Sequence, residues 1–225
     1  GGDGTIGPKA EEPLTVACVL RSGGGYDGEW VRKLKNGVER HLSLPHRFVC
    51  LSDMDVPCER IPITRNWRGW WSKLGMFDVL KGPTLYFDLD TVIVGSLDAL
   101  AGYHHRFTAA HEYYRPHMLC STAMAWKGEY SFIARAYEAA PNELARKYDK
   151  QIRPRVGDQA FIEDQLKARG IKFDTFRDLF GETSIASYKV HKCEGAPPDG
   201  ASAIAFHGRP KPDEIRTGWV PKAWR

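Results

Sequence analysis

Residues 84–94 of the chain read TLYFDLDTVIV, and the only charged residues in this run are Asp88 and Asp90. The apolar residues before Asp88 predict a short buried strand over Thr84–Phe87. Alternate side chains of a strand share a face, so the two carboxylates are expected to point the same way. Ligands bind at the carboxyl ends of strands in open α/β sheets. The run therefore predicts a ligand site at Asp88 and Asp90.

Strands and helices alternate on both sides of this run, which predicts an α/β fold. Besides Thr84–Phe87, strands are expected at Leu14–Leu20, Arg47–Leu51, Arg60–Ile63, Phe107–Ala110, Ala123–Trp126 and Ala203–Phe206. Helices are expected at Glu29–Leu42, Trp71–Leu80, Tyr130–Ala140 and Gln159–Arg169, and residues 183–200 are expected to be irregular. The order predicts a Rossmann-like, mixed but mostly parallel sheet flanked by helices.

The chain is 225 residues long, which suits one domain. Residues 1–13 contain no signal-peptide pattern and are interpreted as a flexible leader, and residues 14–225 as the single domain. No apolar run approaches the roughly 20 residues that span a bilayer. The formal net charge of +4 suits an anionic ligand, but scattered Lys and Arg argue against a dedicated nucleic-acid surface.

The five cysteines lack CxxC spacing, which argues against a zinc site, and their odd number argues against a disulfide framework. Two of them, Cys18 and Cys50, fall within predicted strands and are expected to be reduced core residues. This pattern favours a cytoplasmic protein.

Two carboxylates on one face favour a hard cation such as Mg²⁺ or Mn²⁺, with open positions for phosphate oxygens. Two enzyme classes fit this arrangement. One uses the cation to neutralise a diphosphate leaving group. The other is the haloacid-dehalogenase type of Mg²⁺-dependent phosphatase, in which Asp88 would be the nucleophile and Asp158, Glu163 and Asp164 would imitate the distal acidic motif. Against the phosphatase, a whole βαβ unit precedes Asp88.

A set of motifs along the chain resembles the glycogenin-like and lipopolysaccharide-galactosyltransferase-like family of retaining glycosyltransferases, family eight. The matching pieces, in chain order, are Lys73-Leu74, residues 85–94, Ser96-Leu97-Asp98, Asp158-Gln159, His207 with Gly208, and Lys211-Pro212. The resemblance implies a GT-A fold and transfer of a sugar from a nucleotide-diphosphate sugar, expected to be a UDP-sugar, to a hydroxyl acceptor. The sequence does not identify that acceptor.

The resemblance also implies roles for individual residues. Mn²⁺, or Mg²⁺, would be held by Asp88, Asp90 and His207. Asp158 and Gln159 would act at the donor sugar. The other implied donor contacts are Arg21, Tyr26, Lys73, Ser121, Thr122, Gly208 and Lys211. Tyr26 would stack on the base, and Lys211 would contact the diphosphate.

Several of these residues have a plainer alternative interpretation. Asp158 follows a glycine at a predicted helix start and could be an N-cap. His207 could be a structural histidine, and Lys73 a solvent-facing helix residue. Trp67, Trp70 and Trp71 could form a platform for an acceptor sugar or could pack in the core.

Overall fold

The computed structural model describes residues 12–149 and 156–225. Residues 1–11 of the predicted leader lie outside the described residues. Cys18, Cys50, Cys58, Cys120 and Cys193 are all described, and all are free thiols. Within the described ranges, no helix is both long enough and apolar enough to cross a membrane.

The described residues form strands that belong to two sheets. The strands are β1 (Leu14–Leu20), β2 (His46–Ser52), β3 (Glu59–Pro62), β4 (Thr84–Phe87), β5 (Thr91–Ile93), β6 (Phe107–Glu112), β7 (Arg115–Trp126), β8 (Asp174–Thr175), β9 (Ile185–Ser187) and β10 (Ala203–Ala205). The predicted strands at Leu14–Leu20 and Thr84–Phe87 are confirmed at both ends.

The helices pack around these sheets. They are α1 (Gly28–His41), α2 (Met76–Val79), α3 (Asp98–Gly102), α4 (Ser131–Glu138), α5 (Pro141–Asp149), α6 (Gly157–Ala168), α7 (Phe176–Phe180) and α8 (Trp219–Ala223), with 3-10 helices at Gly69–Gly75 and Pro212–Glu214. The N-cap of α1 is Asp27, whose side chain accepts a hydrogen bond from the Glu29 amide at 3.0 Å.

The central sheet has the strand order β3-β2-β1-β4-β7-β6-β8. Strands β3, β2, β1 and β4 run parallel, β7 is antiparallel to both of its neighbours, and β8 is parallel to β6. The predicted mixed, mostly parallel sheet is therefore confirmed. The chain passes from β1 outward to β3 and then returns to place β4 on the other side of β1, so the order of the strands reverses between β1 and β4.

Each face of the central sheet is covered by a separate hydrophobic core. Val16 and Cys18 of β1 pack on one face with α1, β5 and β10, whereas Ala17 packs on the other face with α2, α4 and α6. This alternation follows from the period of two in a strand, and burial on both faces explains why β1 is a continuous apolar run.

The small sheet has the order β5-β10-β9 and attaches the C-terminal part of the chain to the strand that follows Asp90. Strand β10 is antiparallel to β5 and parallel to β9. Directly after β5, a Cβ at Gly95 would lie 2.3 Å from the Ala201 carbonyl oxygen, so only glycine permits this close approach. The sequence analysis did not predict β5, and it treated the residues of β9 as irregular.

Two other expectations were wrong in detail. The predicted helix Trp71–Leu80 is a 3-10 helix over Gly69–Gly75 followed by the short α2, and the Ser72 hydroxyl donates to the Gly69 carbonyl at 2.7 Å within that tighter turn. The predicted strand Ala123–Trp126 begins earlier, at Arg115, because it pairs with β6 as well as with β4.

Candidate active site

A cavity of about 810 Å³ opens where β1 and β4 end, at the reversal of the strand order. Ligand sites in open α/β sheets lie at this point because the loops after the two strands diverge to opposite sides of the sheet. Twelve of the residues that the sequence or the resemblance assigned to a site or a sugar platform line the cavity, together with the loop of Gly23. They are Arg21, Tyr26, Trp70, Lys73, Asp88, Asp90, Ser121, Thr122, Asp158, Gln159, His207 and Lys211.

A turn, and not the alternation of a strand, brings the two aspartates to the cavity. Strand β4 ends at Phe87, and the Thr91 amide donates to the Asp88 carbonyl at 3.1 Å. The Asp88 amide remains tied to β7 through the Thr122 carbonyl at 2.9 Å. The expectation that strand pleating aligns Asp88 and Asp90 was therefore wrong, although both line one cavity.

The buried side of the cavity is an ionic network centred on Lys73. Its ammonium nitrogen lies 2.9 Å from Asp88 Oδ1 and 3.2 Å from Asp158 Oδ2, and it donates to the Ser121 hydroxyl at 3.2 Å. The Tyr86 hydroxyl donates to the same Asp88 oxygen. The alternative interpretation of Lys73 as a solvent-facing residue is wrong, because Lys73 is only 5% exposed.

Burial and charge act against each other in this network. Burial alone would lower the pKa of Lys73, but the carboxylates of Asp158 and Asp88 raise it, and the net pKa lies above its ordinary value. Loss of solvent raises the pKa of Asp88, and Lys73 opposes that rise. The ammonium group of Lys73 is therefore the charge that stabilises the buried carboxylate of Asp158 and the half-buried one of Asp88.

An irregularity in β7 presents Ser121 and Thr122 to the cavity. Between consecutive residues Ala109 and Ala110 of β6, the partner on β7 shifts from Met124 to Cys120, so the residues between them bulge from the ladder. The Ser121 hydroxyl at this bulge donates to Asp158 Oδ2 at 2.7 Å.

Helix α6 supplies Asp158 and Gln159 from its first turn, and both line the cavity. The residue before them, Gly157, has φ of +72°, a conformation that favours glycine. The N-cap of α6 is Val156, and Asp158 Oδ2 is instead bonded to Ser121 and Lys73. The alternative interpretation of Asp158 as an N-cap is therefore wrong.

The ladder between β5 and β10 explains how His207 comes to line the same cavity as the aspartates. Ala205 of β10 is the register partner of Thr91, which directly follows Asp90. The next residue along, Phe206, donates its amide to the Asp90 carbonyl at 3.1 Å. Because the two strands are antiparallel, the residue after the end of β10 must lie beside the residue before the start of β5.

The imidazole of His207 is held by two neighbours while it lines the cavity. Its Nε2 lies 2.6 Å from the Ser187 hydroxyl, and its ring stacks on Tyr113 with centroids 5.3 Å apart. Burial lowers the pKa of His207 to about 4, and the positive charge of Lys189 adds to this shift while Asp90 opposes it. The imidazole is therefore neutral at physiological pH, which is the form that ligates metals.

The second ion pair of the cavity joins Asp90 to Lys211. The Lys211 ammonium lies 2.7 Å from Asp90 Oδ2 and donates to the Phe206 carbonyl at 2.9 Å. The Tyr26 hydroxyl donates to the same Asp90 oxygen at 3.3 Å, and the Tyr26 ring rests on Trp30 with centroids 4.3 Å apart. Lys211, for which the resemblance implied a contact with the diphosphate, thus forms an ion pair with Asp90 in this structure.

The loop after β1 forms the opposite wall. Arg21 is paired with Asp53 at 3.1 Å and donates to Asn66 at 2.7 Å, and the Ser22 amide donates to Asp53 at 2.8 Å. The loop then turns through Gly23, whose φ is +88°. These contacts fix the base of the loop and leave its tip at the cavity.

One residue that the resemblance assigned to the donor, Gly208, does not line the cavity. Gly208 has φ of +66°, and a Cβ there would lie 2.7 Å from the Lys189 ammonium nitrogen. Residues that the sequence analysis did not assign also matter, namely Tyr86, Tyr113, Asp53 and Ser187. Of these, only Tyr86 carried a usable signal, since it lies two residues before Asp88 in the sequence and near the end of the predicted strand.

The residue types at the cavity fit a divalent cation. Two carboxylates and a neutral imidazole provide oxygen and nitrogen ligands that suit Mn²⁺ or Mg²⁺, and Lys211 shows that Asp90 accepts a cationic partner here. Within the described residues, no cluster of three or more His, Cys, Asp or Glu side chains is already close enough to hold a metal.

Comparison with known proteins finds the likeness in structure alone. No protein-family model and no curated protein matches the chain. The glycosyltransferase GlyE of Streptococcus pneumoniae TIGR4 superposes with a TM-score of 0.65 and 13% identity over 94% of this chain and 59% of its own. LgtC, a galactosyltransferase solved with donor and acceptor sugar analogues, gives 0.51 and 10% over 93% of this chain and 91% of its own.

The chain has the GT-A fold. The resemblance to glycosyltransferases is thus confirmed at the level of the fold, while the chain spans 59% of the length of GlyE. The phosphatase alternative is not favoured. Glu163 accepts from the Leu119 amide at 2.8 Å and Asp164 from the Tyr148 hydroxyl at 2.7 Å, and neither lines the cavity around Asp88.

Proposed function

We propose that the chain is a metal-dependent glycosyltransferase that moves a sugar, with retention of configuration, from a UDP-sugar to a hydroxyl acceptor. The observation that carries this proposal is the single cavity where Asp88, Asp90, His207, Lys211 and the pair Asp158-Gln159 meet at the carboxyl ends of β1 and β4. The GT-A fold of the chain agrees with it.

The charges of the cavity suit a diphosphate bound together with a cation. Asp88, Asp90 and Asp158 bring three negative charges, and Lys73 and Lys211 bring two positive ones. These five groups leave one negative charge, which Arg68 of the cavity lining offsets, so a divalent cation makes the site positive. That balance attracts an anionic nucleotide.

Asp88, Asp90 and His207 would hold the cation, which supplies neutralisation of the charge that develops on the leaving diphosphate. Lys211 would leave Asp90 and donate to a phosphate oxygen, since its side chain is 25% exposed and lines the cavity. Lys73 would stay between Asp88 and Asp158 and fix the distance between the metal side and the sugar side of the site.

The sugar would lie against the start of α6, where Asp158 and Gln159 face the cavity. Asp158 has one oxygen bonded to Ser121 and Lys73, so its other oxygen can accept from a sugar hydroxyl. We favour front-side displacement, in which the leaving phosphate takes the proton of the acceptor hydroxyl. Gln159 as a transient nucleophile is the alternative.

The free thiols agree with a reducing compartment, and we propose that the enzyme acts in the cytoplasm.

A melting experiment tests the proposal. UDP with Mn²⁺ is expected to raise the Tm of the protein, because a ligand that binds only the folded state stabilises it by about 2.7 kcal/mol at 100 times its Kd. Asp88→Asn and Asp90→Asn are each expected to abolish that rise. Asp98→Asn is the matched control, since Asp98 bonds to Ser43 outside the cavity.

Retention is tested separately, by the anomeric configuration of the product in NMR spectra. If UDP and Mn²⁺ leave the Tm of the wild-type protein unchanged while a generic phosphate ester is hydrolysed with Mg²⁺ and not by Asp88→Asn, the transferase proposal is wrong and the phosphatase alternative takes its place.

A further inference from the structure

A second groove, of about 510 Å³, lies beside the main cavity and shares one wall with it. The shared wall consists of Arg68, Gly69 and Trp70 at the start of the 3-10 helix Gly69–Gly75. A ligand that leaves the main cavity over this wall therefore enters the second groove.

Trp70 differs from the two tryptophans next to it. Trp67 and Trp71 are 7% and 3% exposed and pack against Tyr137, whereas Trp70 is 56% exposed. The indole of Trp70 lies against α6, since a Cβ on Gly157 would be 3.5 Å from Trp70 Nε1. The indole is thus fixed against the backbone that directly precedes Asp158, and much of its surface faces solvent.

The second groove combines this ring with polar side chains. Asn142, Asn66 and Asp149 line it. Asn66 accepts from Arg21 through Oδ1, and Asp149 accepts from the indole of Trp71 at 3.4 Å, so both side chains are held in place. Planar amide and carboxylate groups beside an aromatic ring suit a sugar, whose C–H face packs on the ring while its hydroxyls form hydrogen bonds.

We infer that the acceptor is an oligosaccharide whose reacting unit enters the main cavity, whose next unit stacks on Trp70 and whose further units follow the second groove. This inference rests on the proposed function. In the transfer, the acceptor oxygen forms a bond to the anomeric carbon, the bond from that carbon to the diphosphate oxygen breaks, and the hydroxyl proton passes to the leaving phosphate. Stacking on Trp70 would hold the acceptor oligosaccharide so that its reacting hydroxyl lies at the anomeric carbon of the donor.

The test measures saccharide binding by calorimetry with glucose, cellotetraose and chitotetraose as probes, each with and without UDP and Mn²⁺. The two tetrasaccharides have equatorial linkages and therefore flat apolar faces. At least one is expected to bind much more tightly than glucose. Trp70→Ala is expected to weaken the binding of that tetrasaccharide about tenfold, as for loss of an aromatic stacking contact. Trp70→Phe is expected to weaken it much less. Tyr103→Ala, which removes an exposed ring outside both cavities, is expected to bind normally.

A second variant separates the groove from the main cavity. Asn142 lines only the second groove, so Asn142→Ala is expected to weaken the tetrasaccharide several-fold, to leave glucose unchanged and to keep the Tm rise with UDP and Mn²⁺. If neither tetrasaccharide binds the wild-type protein under any of these conditions, or if Trp70→Ala binds as the wild type does, the inference is overturned. A normal Tm rise with UDP in that case leaves the proposed function standing. An absent rise overturns the proposed function instead.

Discussion

Asp88 and Asp90 lie two residues apart in the sequence and each forms an ion pair with a lysine, but the two lysines differ in burial. Lys73 pairs with Asp88 and Asp158, and its side chain is 6% exposed. Lys211 pairs with Asp90 from the C-terminal segment, and its side chain is 25% exposed. A buried ammonium between two carboxylates cannot leave without stranding charge, whereas a partly solvated one can. The comparison indicates that one half of the site is fixed and the other half can respond to a ligand.

The largest expected effect concerns Lys73. Lys73→Met removes the partner of the buried Asp158 and of the half-buried Asp88, and we expect a loss of about 3 kcal/mol in the free energy of unfolding at pH 7. Urea denaturation measures this through a lower midpoint with an unchanged slope. Lys127→Met is the matched control, because Lys127 forms an exposed pair with Glu12 at 3.4 Å, and its midpoint is expected to stay the same.

The same variant has a predictable pH dependence. Burial already raises the pKa of Asp88, and removal of Lys73 removes the main opposing charge. The penalty exists only while the carboxylates are ionised. It should therefore be full at neutral pH and should shrink as pH falls and the carboxylates take up protons. A penalty that stays constant down to acid pH would point to lost packing by the lysine stem as its cause.

The next effect concerns the half that responds to ligand. Lys211→Met is expected to weaken UDP binding in the presence of Mn²⁺ by about ten- to a hundredfold, as for loss of a hydrogen bond from a charged donor. It is expected to lower the free energy of unfolding by less than Lys73→Met does, because Lys211 pairs with one carboxylate, which Tyr26 still contacts. Calorimetric titration and urea denaturation measure the two quantities. A stability loss as large as that of Lys73→Met would remove the distinction between the pairs.

A smaller effect is expected at the bulge of β7. Ser121→Ala takes one donor from the buried carboxylate of Asp158 and is expected to lower the free energy of unfolding by about 1 to 2 kcal/mol. The neighbouring change Thr122→Val is the control, since the Thr122 hydroxyl makes no hydrogen bond within the described residues. Equal losses in both variants would mean that the bulge matters for packing and not for the ionic network.

The smallest effect is expected at Tyr26. Its hydroxyl reaches Asp90 Oδ2 at 3.3 Å, and Lys211 already holds that oxygen at 2.7 Å. Tyr26→Phe is therefore expected to change the free energy of unfolding by about 0.5 kcal/mol or less. Its ring contact with Trp30 would remain. A loss above about 1 kcal/mol in thermal denaturation would show that Asp90 is held mainly by Tyr26, so that Lys211 is freer than the comparison assumes.

Several elements of the fold could be predicted from local patterns in the sequence. Strands β1 and β4 are continuous apolar runs because both faces are buried, and they could be located at both ends. Helix α1 carries Trp30, Val31, Leu34 and Val38 at helical spacing and ends within one residue of the predicted position. Such elements can be predicted because their burial follows a pattern over consecutive residues.

The small sheet and the ion pairs of the site depend on contacts between residues that are distant in the sequence, and local patterns do not predict such contacts. Strands β5 and β9 have three residues each, too few to show a period. Motif order predicted that His207 and Lys211 belong to the site, but the partner of each charge came only from the structure. Lys211, predicted to contact the diphosphate, pairs with Asp90. Lys73, predicted as a donor contact with a solvent-facing position as the alternative, lies in the interior.

The three-residue ladder between β5 and β10 has a consequence for the order of events in folding. It joins Val92 to Ile204, residues far apart in the chain, and pairings of such long sequence separation form slowly because a large loop must close first. The neighbouring strands β1 and β2 can pair much earlier. In pulsed amide exchange during refolding, Phe206 is therefore expected to gain protection after Val16, so that the protein acquires its sheet before it acquires a competent cavity.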